Sequence, residues 1–255
     1  MPKTQYFRAI DMEKKTWFES WFNSPYYKVL YQNRDANEAE DFTEALIRFL
    51  APPAGSRMLD IGCGEGRFAI QFANNGYDVT GIDLAENRIA KALEHERDNL
   101  HFFVHDMRLP FYINYFDYAF NLFTSFGYFA TERDNQLAAN SFAGALKKGG
   151  TLVVDYLNSD WVLQQLKPYE KIERDGILFD IQKDYDGHHI IKHIRFTDEK
   201  GMQQHYTERV SAFSLQDFIT LFENAGLRLE TTLGDYQLSP FVSKTSPRLI
   251  MIFKK

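Results

Sequence analysis

Cysteine is almost absent from this sequence: of 255 residues only Cys63 carries a thiol. That excludes an intramolecular disulfide and any cluster chemistry held by several cysteines, and it predicts a reducing, cytoplasmic setting. No apolar run reaches the roughly eighteen residues of a membrane-spanning helix. The opening residues Met1-Pro2-Lys3-Thr4-Gln5-Tyr6 lead into polar and aromatic sequence without a signal-peptide core, so no membrane association is expected. Basic surplus is lacking too. With 29 Lys and Arg against 35 Asp and Glu the net charge is −6, which disfavours binding driven by a nucleic-acid backbone. What is plentiful is aromatic: 23 Phe and 14 Tyr, assigned mainly to a core, with a pocket for an apolar substrate as their other use.

Residues 11 to 50 have helical, amphipathic spacing with a break at Asn23-Ser24-Pro25, where proline disfavours helix in the preceding residue. After the stop at Ala51-Pro52-Pro53-Ala54-Gly55, short apolar strands alternate with helices. The strands are Arg57–Ile61, Asp78–Ile82, His101–His105, Phe116–Leu122 and Thr151–Tyr156. The helices are Arg67–Asn75, Glu86–Arg97 and Glu132–Lys147, the last stopped by Lys148-Gly149-Gly150. This alternation specifies an α/β fold with a largely parallel sheet covered on both faces. From about Tyr169 to Phe213 the period becomes two, punctuated by Asp175-Gly176, Asp186-Gly187 and Lys200-Gly201. That pattern predicts an antiparallel patch of three or four strands. Ser214 and Asp217 mark a further helix start, and strands near Leu227–Leu233 and Arg248–Phe253 follow.

Between the first strand and the first helix of this alternation lies Asp60-Ile61-Gly62-Cys63-Gly64-Glu65-Gly66-Arg67. Glycines at such a junction permit a tight turn and close approach of backbone to a ligand. About twenty residues on, at the end of the next strand, Asp83 offers a carboxylate able to accept both ribose hydroxyl protons of a nucleoside. Each feature alone has a plain structural reading, a glycine turn or a helix-entry aspartate. Together they mark a nucleoside site. The spacing is G-x-G-x-G, and the sixth position counted from Gly62 is Arg67 where a dinucleotide fingerprint requires glycine. The ligand is therefore expected to lack a pyrophosphate, which leaves a nicotinamide oxidoreductase as a distant rival.

Here the sequence resembles the class I S-adenosylmethionine-dependent methyltransferases. Asp60 to Gly66 is similar to their first motif, Asp83-Leu84 to the second, His105-Asp106-Met107 to the third and Phe116-Asp117-Tyr118-Ala119-Phe120 to the fourth strand. The likeness covers residues 55 to 156, and Ser246-Pro247-Arg248-Leu249-Ile250 is similar to the last strand of small bacterial members. It implies a Rossmann-like methyltransferase fold, with a mostly parallel seven-stranded sheet and a small antiparallel β insertion. It implies S-adenosylmethionine as cofactor and S-adenosylhomocysteine as product. Gly62, Cys63 and Gly64 would line the methionine and ribose portion, Asp60 would brace the loop, and Asp83 with Leu84 would hold the ribose. Asp106 would take the adenine amino group, the Met107 amide would meet the ring, and Asn121 and Leu122 would sit beside the methionine ammonium. Ala85 departs from the family's usual serine, at the expense of a helix cap.

Four segments follow from this reading: a helical lid at 1–54, the cofactor-binding core at 55–165, the antiparallel insertion as a substrate wall at 166–213, and a C-terminal helix with the last two strands at 214–255. Within the lid, Tyr27, Tyr31 and Arg34 share a helical face and are the candidates to close the pocket, Arg34 through the methionine carboxylate; a structural face of core tyrosines is the competing account. A sulfonium is already a good leaving group, so no single catalytic residue is required, and none is assigned. Covalent cysteine catalysis is disfavoured because Cys63 lies inside the glycine loop, and Asn121-Leu122-Phe123-Thr124 replaces the Asn/Asp-Pro-Pro-aromatic motif of base and amide methylases. His188, His189, His193 and His205 lack regular ligand spacing, so no metal is expected. The expected acceptor is a small molecule. The alternatives are an RNA-modifying methyltransferase and a cofactor-binding partner protein without activity, and the oligomeric state is left open.

Overall fold

The computed structural model describes residues 17–32 and 36–255. Two short helices, α1 (Trp17–Phe22) and α2 (Pro25–Leu30), meet at the expected break. There the Ser24 side chain accepts the Tyr26 amide and Pro25 occupies the first helical turn, where its missing N–H costs nothing. A third helix, α3 (Ala36–Leu50), buries Ala39, Phe42 and Leu46, a spacing of three and four that puts them on one stripe.

The alternating part follows as β1 (Arg57–Ile61), α4 (Arg67–Asn74), β2 (Asp78–Asp83), α5 (Glu86–Ala92), β3 (Leu100–Val104), β4 (Phe116–Asn121), α6 (Glu132–Ala145), β5 (Leu146–Leu157) and α7 (Ser159–Gln164). Four strands come next, β6 (Tyr169–Arg174), β7 (Ile177–Tyr185), β8 (His189–Thr197) and β9 (Gln203–Ser211). The chain closes with α8 (Leu215–Asn224), β10 (Arg228–Leu233) and β11 (Arg248–Lys254). α5 and α6 are shorter than their sequence patterns: α5 ends at Ala92 and gives way to a single 3-10 turn at Leu93–His95 where the pattern runs to Arg97, and α6 ends before Lys147. α6 stops at Ala145 because Leu146 already pairs with Phe116 of β4, so Lys147 is a strand residue and reaches Asp117 at 2.6 Å.

The main sheet has seven strands in the order β10-β11-β5-β4-β1-β2-β3. β1 to β5 run parallel, whereas β11 is antiparallel to both β5 and β10. The chain winds outward through β2 and β3, then returns to lay β4 on the other side of β1. Order therefore reverses between β1 and β4, and the carboxyl ends of those strands flank the crevice where such sheets bind ligands. Both faces are sealed by aromatic packing. On one, Phe72 of α4 stacks on Phe120 at 4.4 Å and α3 adds Phe42. On the other, Phe126, Phe142, Phe218 and Phe222 pack together beneath α6 and α8. Each fully buried ring contributes about 1.5–3 kcal/mol.

The second sheet, β6-β7-β8-β9, is antiparallel. Its first turn, Asp175-Gly176, has φ of 47° and 77°, the paired left-handed geometry of a tight hairpin. One face presents Ile177, Phe179, Ile181, Ile194 and Phe196, which bury Trp21 and Leu30 from the first two helices. α1 and α2 thus ride on the antiparallel sheet, while α3 packs on α4 of the core. The N-terminal stretch is divided between two bodies. Among the described residues no helix is long and apolar enough to cross a membrane.

Candidate active site

The glycine loop leaves β1 at Asp60 and is pinned to the neighbouring strand, the amides of Gly62 and Cys63 both donating to the Ile82 carbonyl at 2.8 and 3.0 Å. Gly62 has φ of 76°, and a Cβ there would stand 2.7 Å from the Ser125 Cβ, so only glycine fits. Asp83 organises the loop from β2: one carboxylate oxygen accepts the Gly64 amide and the other the Ala85 amide, each at 2.8 Å. A carboxylate has about four acceptor positions. Two are therefore used by backbone, and the side chain still borders a cavity.

That cavity, of about 930 Å³, opens at the carboxyl ends of the parallel strands. It brings together Asp60, Gly62, Cys63, Asp83, Leu84, Asp106, Met107 and Leu122 with Tyr27 and Tyr31 from the N-terminal helices. Gly64 and Asn121 stand behind its wall. Asn121 is buried, with its amide donating to the Ile61 carbonyl at 2.9 Å, so it braces the end of β1. Arg34 lies outside the described residues.

Among the carboxylates on the wall are Asp60, Asp83 and Asp106. Asp60 is 2% exposed and its Oδ2 has no hydrogen-bond partner among the described residues. Burial raises its carboxyl to about 7, with the Ala69 amide lowering, Asp83 raising and Arg67 lowering it in turn. Asp83 and Asp106 add acceptors farther along. The set suits a ligand that presents hydroxyl and amino donors and a positive charge. S-adenosylmethionine, with its ribose diol, exocyclic amine and ammonium group, fits these residues.

Beyond β4 the wall is held by a group that sequence reading missed. Phe123 and Thr124 both have left-handed backbone, with φ of 62° and 60°, a conformation that disfavours a β-branched residue. Asp155 of β5, fully buried, accepts the Phe123 amide at 2.8 Å, and its carbonyl accepts the Thr124 amide at 2.9 Å. Arg248 of β11 donates to the Asp155 carboxylate at 2.8 Å and to the Thr124 hydroxyl at 3.0 Å. The Tyr236 hydroxyl completes the group at 3.2 Å from Asp155. One signal was available: Asp155 interrupts the apolar run Leu152-Val153-Val154, where a charge requires a buried partner.

The opposite wall comes from α1 and α2. Tyr27 and Tyr31 are neighbours, with ring centroids 5.0 Å apart, as their spacing requires. The Tyr27 ring lies 5.2 Å from the Arg88 guanidinium of α5, and Lys28 pairs with Glu65 of the loop at 2.9 Å. Phe22 meets Tyr128 and Phe18 meets Phe129 edge-on. Tyr31 instead faces the antiparallel sheet, donating to Glu208 at 2.6 Å and accepting from Lys192 at 3.1 Å. The histidines of that sheet fall into two neighbouring pairs, His188 with His189 and His193 with His205, with ring centroids 6.4 and 5.9 Å apart. Among the described residues no grouping of His, Cys, Asp and Glu has metal-site geometry.

Comparison with known proteins agrees with this geometry. A family model described as Methyltransferase domain matches residues 32–232. The chain is 28% identical over 231 residues to the dTDP-3-amino-3,4,6-trideoxy-alpha-D-glucopyranose N,N-dimethyltransferase of Streptomyces venezuelae, a match spanning 82% of this chain and 91% of that one. Against a protein of Geobacillus sp. it is 27% identical over 133 residues, 51% of this chain, and spans about half of that protein, 54%. In structure it resembles an S-adenosylmethionine-dependent methyltransferase from Clostridium acetobutylicum, with TM-score 0.75 and 15% identity over 90% of this chain and 95% of that one. It also resembles a sugar N-methyltransferase from Streptoalloteichus sp., with TM-score 0.67 and 19% identity over 100% and 99% of the two chains. The family match covers well over half of the sequence and the fold is shared over most of the chain: the chain belongs to the class I S-adenosylmethionine-dependent methyltransferases.

Proposed function

We propose that this enzyme methylates the amino group of a small acceptor, an amino sugar carried on a nucleotide being the class to try first. The observation that carries the reading is the cavity itself. Its volume of about 930 Å³ lies at the upper end of small-molecule sites, and Phe22, Tyr27, Tyr128 and Phe129 border it under two helices. A polymer would need an open, basic approach, and the net charge of −6 offers none in bulk. The printed activities of the Streptomyces venezuelae relative and of the Streptoalloteichus structure direct the choice toward amino sugars.

Bound S-adenosylmethionine supplies an activated methyl group on a sulfonium. In this reading Asp83 accepts the ribose hydroxyl protons through positions that Gly64 and Ala85 leave open. Leu84 packs beside the ribose, Asp106 takes the adenine amino group and the Met107 amide meets the ring. Asp60 faces the ammonium group, with Gly62 and Cys63 giving backbone access and Asn121 and Leu122 closing that end. Tyr27 covers the open side and excludes water, with Tyr31 beside it anchored to the antiparallel sheet through Glu208 and Lys192. An unprotonated amine is already nucleophilic, so alignment rather than a dedicated base supplies the rate. Incubation with S-adenosylmethionine and the dTDP-3-amino sugar named above, followed by mass spectrometry, should show gain of one or two methyl groups. Methylation of RNA fragments with none on amino sugars would refute the reading.

Asp60 makes cofactor affinity pH-dependent. Its carboxyl, raised to about 7, holds a proton below that pH in the free protein, and a bound ammonium favours the ionised form. Binding therefore expels the proton. Affinity for S-adenosylhomocysteine should fall up to about tenfold per pH unit below 7 and level off above it. Calorimetry in buffers of different ionisation enthalpy should register proton release at pH 6.5, and Asp60→Asn should abolish it. Equal affinity at low and neutral pH would show that Asp60 does not face the ammonium.

A further inference from the structure

The third-motif aspartate does not stand alone. Asp106 borders the cavity just past β3, its side chain 18% exposed. Two residues on, Arg108 returns to grip it. Nε lies 3.1 Å from Oδ1 and 3.0 Å from Oδ2, Nη2 lies 2.6 Å from Oδ2, and the Arg108 amide donates to Oδ1 at 2.9 Å. The guanidinium is itself fixed on its other sides. Its Nη1 lies 3.5 Å from Asp134, in the first turn of α6, and its plane sits 5.1 Å from the ring of Phe129, which also borders the cavity. Asp134 in turn is hydrogen-bonded to the capping Thr131. Asp106 therefore sits at the end of an ion-paired chain anchored in α6.

Such a grip does two things. It limits the rotation of the carboxylate, since a planar fork on both oxygens resists swinging more than a point charge does. It also favours the ionised form: burial pushes the Asp106 carboxyl up, but hydrogen bonds from Arg108 outweigh it and hold it below the ordinary range. An ionised carboxylate only accepts hydrogen bonds. A purine with an amino group at its six-position supplies the donor that such a group needs. A purine with a carbonyl there sets lone pair against lone pair and leaves both groups unpaired in a partly buried site, a mismatch that discriminates strongly.

We propose that Arg108 is a specificity-determining positioning residue, which fixes Asp106 as a pure acceptor so that the site takes an adenine base and rejects its six-oxo counterpart. The proposal rests on the reading of Asp106 as the partner of the adenine amino group, and the test separates the two. The probes are S-adenosylhomocysteine and S-inosylhomocysteine, which differ at the six-position and in the hydrogen that the six-oxo base carries on N1, titrated calorimetrically into the full-length protein. Wild type should bind the adenosyl compound on the order of a hundredfold more tightly or better.

Arg108→Met keeps much of the stem that packs on Phe129 but removes the fork, and should lower that ratio at least tenfold. Arg108→Lys, which keeps the charge without the two-point grip, should lower it to a lesser degree and serves if the methionine variant does not fold. Asp106→Asn can donate to a carbonyl and should collapse the ratio. A purely structural arginine would weaken both ligands alike and leave the ratio where it is. If Asp106→Asn collapses the ratio while the folded Arg108 variants keep the wild-type value, the role of Arg108 is overturned. If Asp106→Asn also leaves it unchanged, the adenine contact has been misplaced and the proposal falls with it.

Discussion

Replacing Arg248 by methionine should destabilise the protein by about 3–5 kcal/mol, the range found when one partner of a buried ion pair is removed. The arginine side chain is 18% exposed and its carboxylate partner Asp155 is 0% exposed, so the remaining charge would have no water to turn to. The Asp155 carboxylate also accepts the Phe123 amide and the Tyr236 hydroxyl. Restoring neutrality with Asp155→Asn in the Arg248→Met background should recover part of the loss, because the larger share of the penalty is the orphaned charge. Thr124→Gly should be tolerated far better than either, since glycine accepts the left-handed backbone that threonine holds at φ of 60°. Urea denaturation monitored by circular dichroism measures all of these. A shift below about 1 kcal/mol for Arg248→Met, within the range of an exposed pair, would mean that water reaches Asp155.

How far the sequence foretold this arrangement depends on the reach of each interaction. The glycine loop was legible because Gly62 and Asp83 act through local backbone geometry, and each stands at the end of a strand with clear apolar periodicity. The antiparallel sheet was legible through its turns, each carrying glycine after Asp or Lys. The Asp155–Arg248 pair was not, for it depends on β11 inserting antiparallel between β10 and β5 so that Ile250 stands opposite Asp155. A separation of 93 positions along the chain hides that register. The fate of the N-terminal stretch was hidden in the same way. Amphipathic spacing in α3 announces a buried face without naming its partner, and only the packing assigns Phe42 to the core and Trp21 to the antiparallel sheet. The end of α6 was misplaced because Lys147-Lys148-Gly149-Gly150 is a good helix stop locally, while strand pairing at Leu146 overrides it. Arg108 lies only two residues from Asp106, yet nothing in the spacing says that it folds back rather than out into solvent.

The second large effect concerns Asp83. Changing it to alanine removes the acceptor proposed for the ribose hydroxyls and also frees the Gly64 and Ala85 amides that shape the loop. Loss of charge-assisted hydrogen bonds should weaken S-adenosylhomocysteine binding by about 1–3 kcal/mol, roughly fivefold to somewhat over a hundredfold. Because the loop itself leans on this carboxylate, Asp83→Asn is the gentler comparison and should fall between wild type and alanine. The most direct test of the whole account is one calorimetric series: S-adenosylhomocysteine and NAD titrated into wild type, then S-adenosylhomocysteine into folded Asp83→Ala. The account predicts saturable binding of S-adenosylhomocysteine at one site, no comparable binding of NAD, and a clear loss of affinity in the variant. Preference for NAD, or undiminished affinity in a folded Asp83→Ala protein, would contradict it.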